Sequence, residues 1–340
     1  YRGETQFDFV AVSKKTLIVS AVLIAASILT MIIRPFNLSI DFSGGVIVTV
    51  ENNTDADVES IRVELRSVGY ADARVQTTSD GFILVQTEEL SPSEQDQLVQ
   101  VVADVAGTDV NETNVSAVGP TFGAEVTRRA LEALVVFLIV VSAFIAWRFE
   151  WKMALAALAA LFHDLIIAGG IYALIGFVVT PSTIIAVLTI LGYSLYDTVV
   201  VFDKVTENVH DAHPKATFSG IINLSMNQVL MRSINTSLTS LLPVGSLLAV
   251  GFLALGAETL REFALALFIG IALGTYSSLY VASPILGLWK ERESEWERRR
   301  RRASKGDDEE PAAIAPEVTA EPLPGTTAGP RPPKQRRKRR

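Results

Sequence analysis

The chain of 340 residues has no cysteine and only three histidines. Without thiols it has neither disulfides nor thiolate metal sites. His210 and His213 fall in a polar stretch, so a structural metal centre is not expected. No nucleophile–base pair, ligand cluster or phosphate-binding glycine loop is legible, and a bare Gly44-Gly45 is not one. The expectation is a protein that is not an enzyme and holds no cofactor. Basic residues are scarce in one long stretch: residues 37–125 contain only Arg62, Arg66 and Arg74.

What is abundant is apolar sequence. Of all residues, 49% are hydrophobic, and they gather in blocks long enough to cross a bilayer core. Six spans are expected, at about residues 15–33, 130–147, 153–177, 182–202, 233–255 and 263–289. The first is too long for a signal-peptide core and reads as an uncleaved anchor. The first residue is Tyr1, which suggests a trimmed start. If the spans alternate, Lys14/Lys15, Arg148/Lys152, Lys204/Lys215 and the arginine-rich tail share one side, so both termini are expected in the cytoplasm. Arg34, Arg128, Arg129 and Arg261 fall on the opposite side and weaken the asymmetry.

The segment between spans one and two has its own pattern. Residues 46–51 alternate like a strand, and 55–68 carry Val58, Ile61, Leu65 and Val68 on one helical stripe with Asp55 as the cap. Residues 73–78 and 82–87 form a hairpin around Ser79-Asp80-Gly81. Ser91, Pro92 and Glu94 open a second helix to residue 106 with a capping box, and 114–118 is a last strand. The order βαββαβ is ferredoxin-like. The expected fold is a mainly α membrane protein of six transmembrane helices, with an α/β ferredoxin-like exterior domain inserted between helices 1 and 2. Its parts are a cytoplasmic segment 1–14, helix 15–36, exterior domain 37–125, five-helix bundle 126–289 and a charged, disordered cytoplasmic tail 290–340. The tail ends in a second basic cluster, 334–340, suited to anionic lipid; nucleic acid is not firmly indicated.

Two charges stand inside apolar helices. Each costs about 2.5–3.5 kcal/mol at mid-bilayer on insertion scales. Asp197 lies in the fourth span, with Tyr193 and Ser194 one turn before it. Arg232 heads a polar stripe, Asn235, Thr236 and Thr239 following at helical spacing. With the spans oriented, the two lie at similar depth and are expected to meet. Lipid opposes a carboxylate's charge and a guanidinium supports it, the balance a reversible proton site requires. Arginine does not titrate usefully, so Asp197 is the expected carrier. A static salt bridge that only fixes packing is the rival reading. His163 and Asp164, mid-way along the third span, are candidate helpers, at most one facing a given partner. Asp203, Lys204 and Glu207 read as interfacial. Gly270, Gly274 and Ser278 form a small-residue stripe for helix contact.

Five motifs in order resemble the bacterial SecF family. They are Ile40-Asp41-Phe42-Ser43-Gly44-Gly45, then Val118-Gly119-Pro120-Thr121-Phe122-Gly123-Ala124-Glu125. Next come Gly192-Tyr193-Ser194 with Asp197 to Asp203 and Glu207-Asn208, then Asn227-Gln228 with Arg232-Ser233, Thr236-Ser237 and Thr239, and last Gly274 to Ser278. Tyr196 departs from the family, which usually has Asn there; Ile234 and Asn235 also depart. The resemblance implies half of a resistance-nodulation-division-type transporter that pairs with SecD beside the SecYEG channel, with YajC as a further partner. It implies coupling of the proton gradient to late translocation of an unfolded polypeptide. By position Asp197 and Arg232 match the family's proton-linked pair. Gly44, Gly45, Gly119 and Gly123 are expected hinge positions between bundle and exterior domain. Two rivals stand beside this reading: a proton-driven small-molecule or lipid exporter half, and a non-transporting translocon scaffold.

Overall fold

The computed structural model describes residues 7–78, 81–213, 216–253 and 258–303. The first apolar run forms α1 (Phe9–Ile33), capped by the Asp8 side chain on the Ala11 N–H. It starts well before residue 15, so Lys14 and Lys15 lie within the helix, both exposed. The chain then forms β1 (Asn37–Leu38) and the single turn α2 (Ile40–Ser43).

An α/β domain follows: β2 (Gly45–Glu51), α3 (Val58–Ser67), β3 (Arg74–Thr77), β4 (Phe82–Thr87), α4 (Pro92–Ala106) and β5 (Asn114–Val118). The sheet is antiparallel in the order β3-β4-β2-β5, the ferredoxin-like arrangement. Alternation puts Val46, Val48, Val50, Ile83 and Val85 on one face, against Ile61 and Leu65 of α3 and Leu98 and Val102 of α4. Burying each such side chain is worth about 1.5–3 kcal/mol. The cap of α3 is Asp57, which accepts from the Ser60 N–H at 2.7 Å, not Asp55, whose φ of 51° belongs to the preceding turn. Glu94 accepts from the Ser91 N–H at 2.8 Å, closing the box that starts α4. The hairpin residues 79 and 80 lie outside the described residues; the ladder beside them closes with Thr78 N–H to Phe82 O at 2.8 Å.

The remaining apolar blocks form α5 (Pro120–Arg148), α6 (Trp151–Ile175), α7 (Pro181–His210), α8 (Phe218–Leu253) and α9 (Glu258–Ser277). With α1 they give six helical segments long and apolar enough to cross a membrane among the described residues, the last running from α9 through to Lys290. Several extend past the expected spans. The helix around Arg232 begins at Phe218, so Arg232 stands in its middle and not at its head. Apolar length sets the span, but the helix continues into water wherever nothing breaks it.

The last segment has one irregular stretch. After α9, Ser278–Ala282 winds as a π-helix, then α10 (Ser283–Lys290) resumes. Pro284 lacks the N–H that the regular ladder would direct at residue 280, which suits a widened turn there. Beyond it, α11 (Ser294–Ala303) packs Trp296 against the Phe218 ring, centroids 5.1 Å apart. The tail is therefore helical at its start, where a disordered segment was expected from residue 290; a buried aromatic anchors it. Residues 304–340, with the second basic cluster, lie outside the described residues.

The bundle's core is lined by small residues. α6, α7 and the last span are the most buried; α1, α5 and α8 leave most of their apolar surface open. Side chains at Gly270 and Gly274 would strike Ile190 and Ser194 of α7, and one at Gly170 would strike Ser27 of α1. Ser13, Ser20 and Ser27 recur every seven residues on the buried side of α1. Outside the bundle, β1 pairs in parallel with β6 (Val178–Val179), the link between α6 and α7. That bridge ties the entry of the α/β domain to the end of α6.

Candidate functional site

Asp197 sits on the buried face of α7, 3% exposed. Its Oδ1 accepts from the Ser233 hydroxyl at 3.1 Å, and its Oδ2 has no hydrogen-bond partner among the described residues. Ser233 is on α8, next to Arg232. Successive residues on a helix differ by about 100°. With Ser233 facing Asp197, Arg232 is turned outward. It is exposed, and its Nη2 donates to the Tyr196 phenolic oxygen at 2.9 Å. Tyr196 is itself 51% exposed.

The expected Asp197–Arg232 pair is thus not formed in this arrangement; a serine and a tyrosine take the two contacts. The polar stripe of Arg232, Asn235, Thr236 and Thr239 runs along the outer side of α8. The inward face carries Ser233 and Ser237, both buried, and Ser237 meets Thr275 of α9 at 2.7 Å. Tyr193 and Ser194 do not bond Asp197 either. Tyr193 donates to the Thr236 carbonyl at 2.8 Å, and Thr236 donates to the Arg232 carbonyl at 2.9 Å. Two residues of the expected cluster, Tyr193 and Thr236, therefore support the backbone of α8 near Arg232.

Ser194 serves a second carboxylate. Asp164 of α6 is 2% exposed, and its Oδ2 accepts from Ser194 and from Ser277 of α9, each at 2.7 Å. Its Oδ1 lies 3.0 Å from His163 Nδ1. His163 and Asp164 are each other's partners, where helical geometry alone suggested that they diverge; flexible side chains close the angle. One turn along α7 from Ser194, Thr198 meets Ser278 at 2.9 Å. The small-residue stripe of α9 is what lets these hydroxyls reach α7, since Gly274 sets its backbone against Ser194.

The charges at one end of the bundle are paired with one another. Asp203 pairs with Arg148 at 2.7 Å, and Lys204 with Glu207 at 2.6 Å. Lys290 is paired with Glu150 and Lys152 with Glu293.

At the junction with the α/β domain the glycines differ in kind. Gly44 and Gly45 have φ of 73° and 119°, where other residues are strained. Gly123 has ordinary helical geometry, but a side chain there would lie 2.8 Å from the Phe42 carbonyl oxygen. Gly119, with φ of −69°, has nothing within 4 Å of a side-chain position.

Ser233, Ser237 and Ser277 lie within the motifs quoted from the sequence, but no role could be given to them from it. A serine in an apolar helix is common enough to pass unremarked until its partner is known.

Comparison with known proteins agrees with this architecture. Residues 97–292 match the family "Protein export membrane protein SecD/SecF, C-terminal", and residues 30–51 match the "SecD/SecF GG Motif". The chain is 38% identical to the protein translocase subunit SecF of Streptomyces coelicolor, over 92% of this chain and 87% of that one. It is 39% identical to SecF of Mycobacterium tuberculosis, over 86% of this chain and 69% of that one. The crystal structure of SecDF from Thermus thermophilus, a translocon-associated membrane protein, superposes with a TM-score of 0.78 at 34% identity. That match covers 86% of this chain and 40% of the longer SecDF chain. SecDF in a super-membrane-facing form gives a TM-score of 0.61 at 33% identity, over 90% of this chain and 40% of that one. On these matches and on its six-helix architecture with an inserted ferredoxin-like domain, the chain is a multi-pass membrane protein and belongs to the SecF family of protein-export membrane proteins.

Proposed function

We propose that this chain is the SecF half of a proton-coupled accessory unit of the protein-export machinery, acting with SecD beside the translocon. Asp197 is the proton carrier. The observation that carries this reading is a carboxylate at 3% exposure in a membrane bundle with one oxygen held by Ser233 and the other without a protein partner among the described residues. An intramembrane ionisable group is by default a functional site.

Arg232 supplies the charge that answers deprotonation. Protonated, Asp197 needs no cation, and the guanidinium rests on Tyr196. Deprotonated, it draws Arg232 across the short arc that separates it from Ser233 on the same helix. That swap rotates the contact of α8 with α7. A proton moving through 100 mV releases about 2.3 kcal/mol, enough to bias a two-state bundle.

The α/β domain, on the exterior side with both termini cytoplasmic, moves with the bundle. Three links support this: the junction at Gly44–Gly45, the start of α5 at Gly119–Gly123, and the β1–β6 bridge to the α6–α7 link. The domain contacts the emerging polypeptide and hinders its return. The open apolar faces of α1, α5 and α8 suit a partner half such as SecD, and YajC is a further partner of the unit. The arginines of α11 suit anionic headgroups.

The test is export at fixed expression with Asp197→Asn. Loss of the gradient-dependent fraction is expected. Unchanged gradient-dependent export removes the proton role and leaves a scaffold, which deletion of residues 46–115 would still disable.

A further inference from the structure

The bundle holds a second titratable pair for which the Asp197–Arg232 exchange has no use. His163 and Asp164 are both 2% exposed and lie at the meeting of α6, α7 and α9. Hydrogen-bond bookkeeping fixes most of its atoms. Two hydroxyls, from Ser194 and Ser277, point at Asp164 Oδ2, which is the pattern of an acceptor-only carboxylate oxygen. Oδ1 is paired with His163 Nδ1, 3.0 Å away, and accepts from it when Asp164 is ionised. One polar atom is left over: His163 Nε2, buried and without a hydrogen-bond partner among the described residues.

The ring's other neighbour is aromatic. Tyr276 of α9 stacks on His163 with centroids 6.0 Å apart and planes 25° from parallel. Tyr276 is steadied in turn by Tyr280, stacked at 5.4 Å, and by the Ser20 hydroxyl of α1 at 3.2 Å. A carboxylate at one nitrogen and a π-face on the ring are the two neighbours that an imidazolium binds.

We propose that His163 is a second proton-binding site of this protein, taking up its proton at Nε2. The neutral ring carries its hydrogen on Nδ1, and the site then bears the single negative charge of Asp164. Uptake of one proton makes an imidazolium–carboxylate pair with no net charge; release restores the neutral ring. No other bond forms or breaks. Ser194 links the site to α7 three residues before Asp197, so the charge on Asp164 acts on the helix that carries the first site. That link to export rests on the proton-coupled reading above, whereas protonation of His163 does not.

The surrounding helices carry further titratable groups: Lys152 and Tyr172 on α6, Arg261 and Glu262 on α9, and Tyr193, Tyr196, Asp203, Lys204, Glu207 and His210 on α7. α9 brings Tyr276, the π-helical turn Tyr280, and α7 brings Asp197. α1 contributes Ser20, while its Lys14 and Lys15 are exposed. Arg148 of α5 is paired with Asp203, and Lys290 of α10 with Glu150 and Glu293.

The chain is favourable for a direct test because it has only three histidines. His210 and His213 are exposed, and H210Q/H213Q leaves His163 as the sole imidazole. The experiment is a nitrogen-15 NMR titration of that protein in lipid nanodiscs. The expected result is a reversible change, as pH falls, from a ring protonated on Nδ1 alone to one protonated on both nitrogens. The same change should persist with Asp197→Asn added. A ring that keeps one form throughout, or whose neutral form is protonated on Nε2, overturns the proposal. If the titration is lost with Asp197→Asn, His163 is not an independent site, and the proposal also fails. The Asp197 role is judged separately by export, so the two readings fail separately.

Discussion

Arg232 donates to the Tyr196 hydroxyl at 2.9 Å, while its neighbour Ser233 holds Asp197. A tyrosine at position 196 thus gives the guanidinium a resting place on the outer side of α7. Removing that hydroxyl isolates the effect. Tyr196→Phe loses one exposed hydrogen bond, worth about 0.5–1.5 kcal/mol. Thermal stability in detergent should fall little. Export should need a steeper proton gradient for half-maximal rate, with the maximum preserved, because Arg232 is no longer held away from Asp197. An unchanged gradient dependence would show that Tyr196 plays no part.

The contact of α9 with α7 depends on missing side chains. A Cβ at Gly274 would lie 2.8 Å from that of Ser194, and one at Gly270 would run into Ile190. Gly270→Val should cost about 1–3 kcal/mol through overpacking. Gly192→Ala on α7 meets nothing within 4 Å and should be neutral or slightly stabilising. Paired melting curves of the two variants in the same detergent decide the matter.

The junction glycines separate freedom from fit. Gly45→Ala places a Cβ against the Thr87 carbonyl oxygen at a φ of 119°, and should destabilise the α/β domain. Gly123→Ala crowds Phe42 and should loosen α2 from α5. Gly119→Ala should leave the fold intact. Should Gly119→Ala also leave export intact, freedom of the backbone at 119 is not needed for movement. Hydrogen exchange across residues 40–125 reports the first two effects.

Two exposed carboxylates give the α/β domain a pH dependence. The hydroxyl of Ser91 and then its backbone N–H hold Glu94 below the ordinary glutamate range. Asp57 is likewise held below the usual aspartate range by the backbone N–H of Ser60 and then its hydroxyl. A carboxyl lowered in the folded state stabilises it above the ordinary pKa and loses that contribution as pH falls through the lowered value. Protection of the first turns of α3 and α4 against hydrogen exchange should therefore weaken on acidification. Glu94→Gln should remove that dependence at α4 while leaving it at α3.

Much of the architecture was legible because it rests on short-range rules. Apolar length announced six helices, and alternation with a capping box announced the βαββαβ order. The misreadings are local too. Asp55 and Asp57 both precede the same helix, and the Asp57 bond to the Ser60 N–H, with the positive φ at Asp55, decides between them. The helix around Arg232 begins at Phe218, because nothing from Phe218 to Met231 breaks it even though that stretch is less apolar.

The pairing of charges was not legible. The sequence by itself determined that Asp197 and Arg232 stand on consecutive apolar helices, and that His163 and Asp164 are too polar to face lipid. Only the tertiary structure decided which way each helix is turned. A rotation of one residue, about 100°, puts Ser233 inward and Arg232 outward. Close approach at Gly274 delivers Ser194 and Ser277 to Asp164. Periodicity names the residues on a face; the neighbour that covers the face is fixed by packing, and packing depends on the whole bundle.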